Sequence, residues 1–124
     1  MKLIRQADVM SDDVLGAVGH FDRNPRQRMI AEFVQPDQVR VSILQFEDGA
    51  YSGWHSHRGG QVLHILSGMA RAECRGLASI VLSTGDTIWT LPNEEHRHGA
   101  ADHTDMLQFT VTVGITDWGN RSED

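Results

Sequence analysis

What this sequence has least of narrows it first. It has a single cysteine, Cys74, so no disulfide can form within the chain. Cys74 lies between Glu73 and Arg75. A nucleophile there is one reading, and an inert thiol near a surface turn is the expected one. Positive charge is also scarce. Eleven Lys and Arg stand against seventeen Asp and Glu, a formal net charge of −6, whereas a nucleic-acid partner needs a concentrated basic footprint. The one group of cations, Arg23, Arg26 and Arg28 around Pro25, is flanked by Asp22 and Glu32 and reads as a solvated loop. No apolar run nears the ~20 residues that span a bilayer. The opening Met1-Lys2-Leu3-Ile4-Arg5-Gln6 turns polar without the apolar stretch of a secretory signal. Neither nucleic acid nor membrane is an expected partner, and a cytoplasmic location is expected.

What is present suits one domain over 1–124. The chain is 40% apolar, a globular value, and a chain of this size buries roughly two-thirds of its unfolded surface. Ser11-Asp12-Asp13-Val14-Leu15 can cap a short helical turn that Gly16 and Gly19 would end. From Gln27 the pattern changes to short apolar runs between turn signals. Met29 to Val34 is followed by Gln35-Pro36-Asp37, and Val39, Val41 and Ile43 alternate with Arg40 and Ser42 as in a half-buried strand. Asp48-Gly49, Arg58-Gly59-Gly60, Ser67-Gly68, Arg75-Gly76, Thr84-Gly85-Asp86 and Pro92-Asn93 read as turns. Between them, Gln61 to Leu66, Ser79 to Leu82, Thr87 to Leu91 and Met106 to Val113 have strand length and composition. Many short strands joined by Gly-rich turns predict an antiparallel sandwich or barrel.

Chemistry concentrates in the histidines. His55 and His57 are two apart, so on a strand both imidazoles face one side. Gln61 follows the turn Arg58-Gly59-Gly60 and can bring its amide oxygen to the same point. His96-Arg97-His98 comes after the Pro92-Asn93 turn. Imidazoles suit Mn, Fe, Ni, Cu and Zn, and an amide oxygen is a neutral hard donor. Three histidines and one oxygen leave open positions on an ion, the mark of a catalytic rather than a structural site.

These motifs resemble those of the cupin superfamily position by position. Gly49, His55, His57, Gln61 and Gly68 have the spacing of the first cupin motif, with Gln61 where the family usually has Glu. Gly85, Leu91, Asn93 and His96 have the spacing of the second, with Leu91 in the usual Pro position and Asn93 in the usual Gly position. The resemblance covers about 39–113 and implies an all-β cupin fold, a double-stranded β-helix or jelly-roll-like antiparallel barrel, with an N-terminal arm. Trp54 to Gln61 and His96 to Ala101 are closer still to a small single-domain bacterial subgroup. That subgroup is related to carboxymuconolactone-decarboxylase-associated cupins and includes manganese-dependent hydroxynitrile lyases.

The resemblance implies one divalent metal per chain, manganese first with Fe, Ni, Zn or Cu as alternatives, held by His55, His57, Gln61 and His96. It also implies a homo-oligomer, dimer or tetramer, and a small-molecule substrate. The second motif's spacing selects His96 over His98 as the third histidine ligand. In the lyases a histidine of the strand after that motif acts beside the metal. Gln108 holds this place here, and glutamine hydrogen-bonds without exchanging a proton at neutral pH. His98 is the candidate replacement base.

Three neutral histidines and a neutral Gln leave an ion its full 2+ charge, which favours polarisation over redox chemistry. The first expectation is a Lewis-acid lyase, isomerase or decarboxylase. The alternatives are a metal-dependent dioxygenase and a non-catalytic small-molecule binder or sensor.

Other residues carry weaker expectations. Trp54 and Trp89 suit core positions better than pocket walls, and Met69 and Met106 suit core gaps. His64 and Arg97 should face away from the site, and His20 and His103 should be exposed. Asp86 should shape its turn. Glu94 and Glu95 read as solvated, with a second reading as acceptors for an imidazole N–H.

Overall fold

The computed structural model describes residues 1, 3–5, 13–14, 20–23, 25–34 and 37–119. The strands are β1 (Asp13–Val14), β2 (Arg26–Phe33), β3 (Val39–Phe46), β4 (Ser56–His57), β5 (Gln61–Cys74), β6 (Ile80–Ser83), β7 (Thr87–Thr90), β8 (His96–Ala100), β9 (Met106–Val113) and β10 (Thr116–Asp117). Every pairing is antiparallel. No helix long and apolar enough to cross a membrane occurs among the described residues. The all-β antiparallel architecture expected from the sequence is the one found.

The long strand β5 organises the rest. Its first half pairs with β7 and β9, and its second half pairs with β6 and β8. A register shift between Ile65 and Ser67 divides the halves. Before the shift, the odd-numbered Gln61, Leu63 and Ile65 are buried; after it, the even-numbered Ala70 and Ala72 are. A strand of period two that gains one residue turns its other face inward. The bulge therefore lets one continuous strand serve two walls of the barrel. Gly68, at φ +78°, supplies the left-handed backbone just beyond it. Ser67-Gly68 is thus paired strand just past a bulge at Leu66, and not the turn that its composition predicts.

Strands β3 and β9 pair without slip from Val39 opposite Val113 to Phe46 opposite Met106. On β9, Met106, Gln108, Thr110 and Thr112 are buried; on β3, Ser42, Leu44 and Phe46 are. The interior is therefore graded. Phe46, Ile65, Ala70, Leu82, Ala100 and Met106 form an apolar cluster, each large side chain contributing roughly 1.5–3 kcal/mol on burial. Toward the other end the inward positions turn polar.

Three further expectations are corrected here. Val39, Val41 and Ile43 are only half-buried, on the face away from the interior, because the polar residues between them line a cavity. Met69 is 42% exposed and fills no core gap, whereas Met106 is buried. Asp13 and Val14 pair with β2 and are not in a helical turn; the rest of 11–16, Gly19, Gln35 and Pro36 lie outside the described residues.

A Cβ on Gly68 would stand 2.1 Å from the Asp105 carbonyl oxygen, while one on Gly76, also at φ +78°, would meet nothing within 4 Å. Gly76→Ala is expected to lose about 1 kcal/mol through backbone strain alone. Gly68→Ala should lose at least about 2 kcal/mol more through the clash. Urea denaturation of the two variants checks this, and equal midpoints would contradict it.

Candidate metal centre

Backbone pairing brings the histidines together. His55 and His96 exchange both hydrogen bonds, N–H to O at 2.9 and 2.8 Å. Directly opposed residues of this kind carry adjacent side chains, and the two rings lie 4.4 Å apart, centroid to centroid. His57 is two residues on from His55 and His98 two on from His96, so each pair shares a face. The His55–His57, His57–His96 and His55–His98 centroids are 4.9, 5.2 and 5.3 Å apart. Gln61 opens β5 opposite Thr112 of β9 and Thr90 of β7. All five side chains are buried.

The ring nitrogens sort into anchored and free. His55 Nδ1 donates to the Gly53 carbonyl at 2.8 Å, and His96 Nδ1 donates to the Glu94 carbonyl at 3.0 Å. Each Nε2 is therefore an unprotonated lone pair in the neutral ring. His57 Nδ1 lies 2.9 Å from the Thr116 hydroxyl, and its Nε2 is buried without a partner. Gln61 Nε2 donates to Thr112 Oγ1 at 2.8 Å, which turns Oε1 toward His96 Nε2 at 3.1 Å. Two acceptors facing each other at that distance repel unless a cation lies beside both. Donors bonded at about 2.1 Å and at right angles on one ion stand about 3 Å apart. The chemistry and spacing of this donor set fit a divalent ion.

Among the described residues, one group of three histidines close enough to share an ion differs from the three that the spacing selects. Ligand atoms of His55, His96 and His98 all lie within 4.8 Å of one another, so three buried histidines could bind a metal. His98 is fully buried, but its free buried nitrogen is Nδ1. It lacks the anchored-Nδ1, free-Nε2 arrangement that His55, His57 and His96 share. Gln108 is buried on β9, donates from Nε2 to Thr110 Oγ1 at 3.0 Å and leaves Oε1 unpartnered.

Burial holds the whole set neutral. It pushes His55 and His98 well below the usual histidine range, reinforced by the neighbouring imidazoles. His57 is lowered to about 3, first by burial and then by His96 and Arg40. His96 is lowered by burial, with Glu94 opposing.

The site opens into a cavity of about 150 Å³ whose walls include Arg40, Ser42, Thr110, Thr112, Thr116 and Trp118. Sequence reasoning named none of these as site residues. The parity of β3 was the available signal for Arg40 and Ser42. Trp54 is buried and Trp89 is 67% exposed, and neither lines this cavity. His20 is half-buried and stacks on Trp118 at 4.3 Å, so it is not the exposed residue expected. Glu94 serves His96 through its backbone carbonyl, not its carboxylate. The Cys74 thiol is raised by burial and then by Glu94, which keeps it protonated and inert.

The cupin domain family profile matches residues 42–113. Over 81 residues the chain is 37% identical to an (R)-mandelonitrile lyase of Granulicella tundricola, an alignment spanning 64% of this chain and 62% of that enzyme. A cupin-like protein of Thermotoga maritima superposes with a TM-score of 0.81 at 28% identity, covering 90% of this chain and 88% of the other. A polyketide cyclase of Streptomyces resistomycificus superposes at 0.78 with 15% identity, covering 100% and 89%, a likeness of fold alone.

Neutral imidazoles have a consequence for stability. As the pH falls below 6.5, histidines of the unfolded chain take up protons that the folded metal-free protein refuses. Stability of the chelator-treated protein should be level above pH 7. It should fall as the pH drops from 6.5 toward 3, by about 1 kcal/mol per pH unit for each histidine kept neutral. Urea midpoints at pH 7.5 and 5.5 measure the loss, and equal values would mean that these rings protonate in place.

Proposed function

The chain belongs to the cupin domain family, and on that premise we propose that it is a metal-dependent enzyme performing Lewis-acid lyase, isomerase or decarboxylase chemistry on a small organic molecule. The observation that carries this reading is the donor set: buried, neutral imidazoles around one amide oxygen. His55, His57, Gln61 and His96 would hold one divalent ion, manganese in this proposal. A divalent ion among four neutral donors would supply undiminished positive charge to stabilise negative charge developing on a substrate oxygen.

The chain's own residues supply the rest. Burial keeps His98 in its proton-accepting form at neutral pH, and the ring lines the cavity, where it would take a proton from a substrate hydroxyl. For a hydroxyl-bearing carbon next to a cleavable C–C bond, that proton goes to His98, the C–O bond becomes a carbonyl, and the electron pair of the C–C bond leaves with the departing group. Gln108 is fully buried behind the cavity wall, held by Thr110 and set against His98, so it would orient that ring. Trp118 lies against His55 at 4.6 Å and Phe21 meets Trp118 edge-on at 5.5 Å, an aromatic cover that limits water at the site. The likeness to a mandelonitrile lyase supports C–C cleavage within this range.

Elemental analysis of protein grown with Mn, Fe, Ni and Zn tests the reading. The parent should carry near one transition metal per chain. His57→Ala and His96→Ala should lose most of it, and His98→Ala should keep it while losing turnover. Metal retained in His57→Ala and lost in His98→Ala would move the ligand set to His55, His96 and His98. No metal in the parent would remove the enzymatic reading. Gln108→His installs a group that exchanges protons beside the site and should raise mandelonitrile cleavage by roughly tenfold or more. No gain with metal intact would detach this chain from lyase chemistry of that type.

A further inference from the structure

The cavity contains a cation that no carboxylate among the described residues neutralises. Arg40 shares its parity on β3 with Ser42, Leu44 and Phe46 and so points inward. It lines the cavity together with His57. Its Nη2 donates to Thr116 Oγ1 at 2.9 Å, while its Nε is buried without a hydrogen-bond partner. Among the described residues no carboxylate pairs with it. No Asp or Glu among the described residues lines this cavity.

A half-buried guanidinium without a counter-ion is unfavourable unless an anion joins it. Nε is closed off from the cavity, so the donors left for a ligand are those of the two Nη groups, whose end-on fork meets a carboxylate through two parallel hydrogen bonds. Thr116 holds the head in place by occupying one Nη donor. Phe21, Leu44 and Trp118 add apolar wall, and the volume of about 150 Å³ admits only a small molecule.

We propose that the substrate of this site is a small carboxylate, its carboxyl group held bidentate by Arg40 and its apolar part lying against Phe21, Leu44 and Trp118. This deepens the metal-dependent reading above, on which it rests for the chemistry at the histidine end. A neutral cyanohydrin would offer Arg40 single uncharged acceptors and leave its positive charge uncompensated. Cleavage or isomerisation of a 2-hydroxy or 2-keto acid meets both ends of the cavity.

Titration calorimetry on the manganese-loaded and the chelator-treated protein tests this. The probes are mandelate and pyruvate, with mandelamide as the uncharged counterpart and inorganic phosphate as the competing anion. At least one of the two carboxylates should bind both forms, and more tightly with manganese. Mandelamide should bind more weakly than mandelate by roughly tenfold or more. Arg40→Gln should weaken carboxylate binding by a similar factor, with mandelamide binding and metal content unchanged. Arg40→Lys keeps the charge but not the fork, and should fall between the two. Circular dichroism confirms the fold of each variant, and if Arg40→Gln unfolds, Arg40→Lys and Arg40→Met carry the comparison. Carboxylate binding unaltered by any folded variant would overturn the proposal, as would mandelate and mandelamide binding alike. So would failure of both carboxylates to bind, or phosphate binding as tightly with the same dependence on Arg40. A protein that takes up no metal but binds a carboxylate through Arg40 would remove the metal reading and keep this one.

Discussion

His55 and His96 face each other across a pair of reciprocal backbone hydrogen bonds, and the geometry of the site follows from that contact. Their side chains are 41 positions apart in sequence (96 less 55) and meet because the bridge sets them directly opposite. Each extends its influence by strand periodicity, His55 to His57 and His96 to His98. Other elements support the same bridge. Ser52 and His98 are joined backbone to backbone at 2.8 Å and again through the Ser52 hydroxyl at 3.1 Å. Gly99 lets the Tyr51 strand approach so closely that a Cβ there would stand 2.3 Å from the Ala50 carbonyl. Gly99 thus sets the spacing between β8 and the Tyr51 segment, whose neighbouring residues carry the imidazoles.

Desolvation sets the charge state once the rings have converged. Four imidazoles at centroid separations of 4 to 6 Å cannot all be protonated in a buried volume. The fold selects the neutral form, and backbone carbonyls at Gly53 and Glu94 select the tautomer for two of them. These carbonyls fix which nitrogen carries the proton, so the Nε2 of each ring keeps its lone pair for the site. Burial of Gln108, Thr110 and Thr112 on β9 extends the same polar interior toward the cavity, where apolar side chains would have packed better. The loss in packing is tolerable because the apolar cluster around Phe46 and Met106 occupies the other end of the barrel.

Much of this was legible in the sequence, and the exceptions share a cause. The turns at Asp48-Gly49, Arg58-Gly60, Arg75-Gly76 and Pro92-Asn93 stand where glycine, asparagine and proline predict them, with Asn93 itself at φ +61°. The motif histidines converge as their spacing requires. Two features were misread because each depends on which face of a strand turns inward. On β3 the apolar residues gave the wrong face, since the interior they would normally fill is a cavity. On β5 composition suggested a turn where a bulge exchanges the two faces. On β8 the spacing names His96 as the ligand, while strand period brings His98 to the same buried face beside it. Trp118 and Phe21 close over the site from segments with no periodic pattern, so no signal in the sequence could have placed them there.

The glutamine at position 61 gains a second meaning from Arg40. Where the family usually places a glutamate, a carboxylate here would share a small cavity with the guanidinium, in surroundings where charges act over several ångströms with little screening. It would serve Arg40 as an internal counter-ion, directly or at a distance, and so compete with an incoming carboxylate. Glutamine keeps the oxygen donor toward His96 and the amide link to Thr112 while removing that competitor. Among the described residues no Asp or Glu lines the cavity, and the departure at position 61 belongs to the same electrostatic arrangement, which leaves the guanidinium without an internal counter-ion.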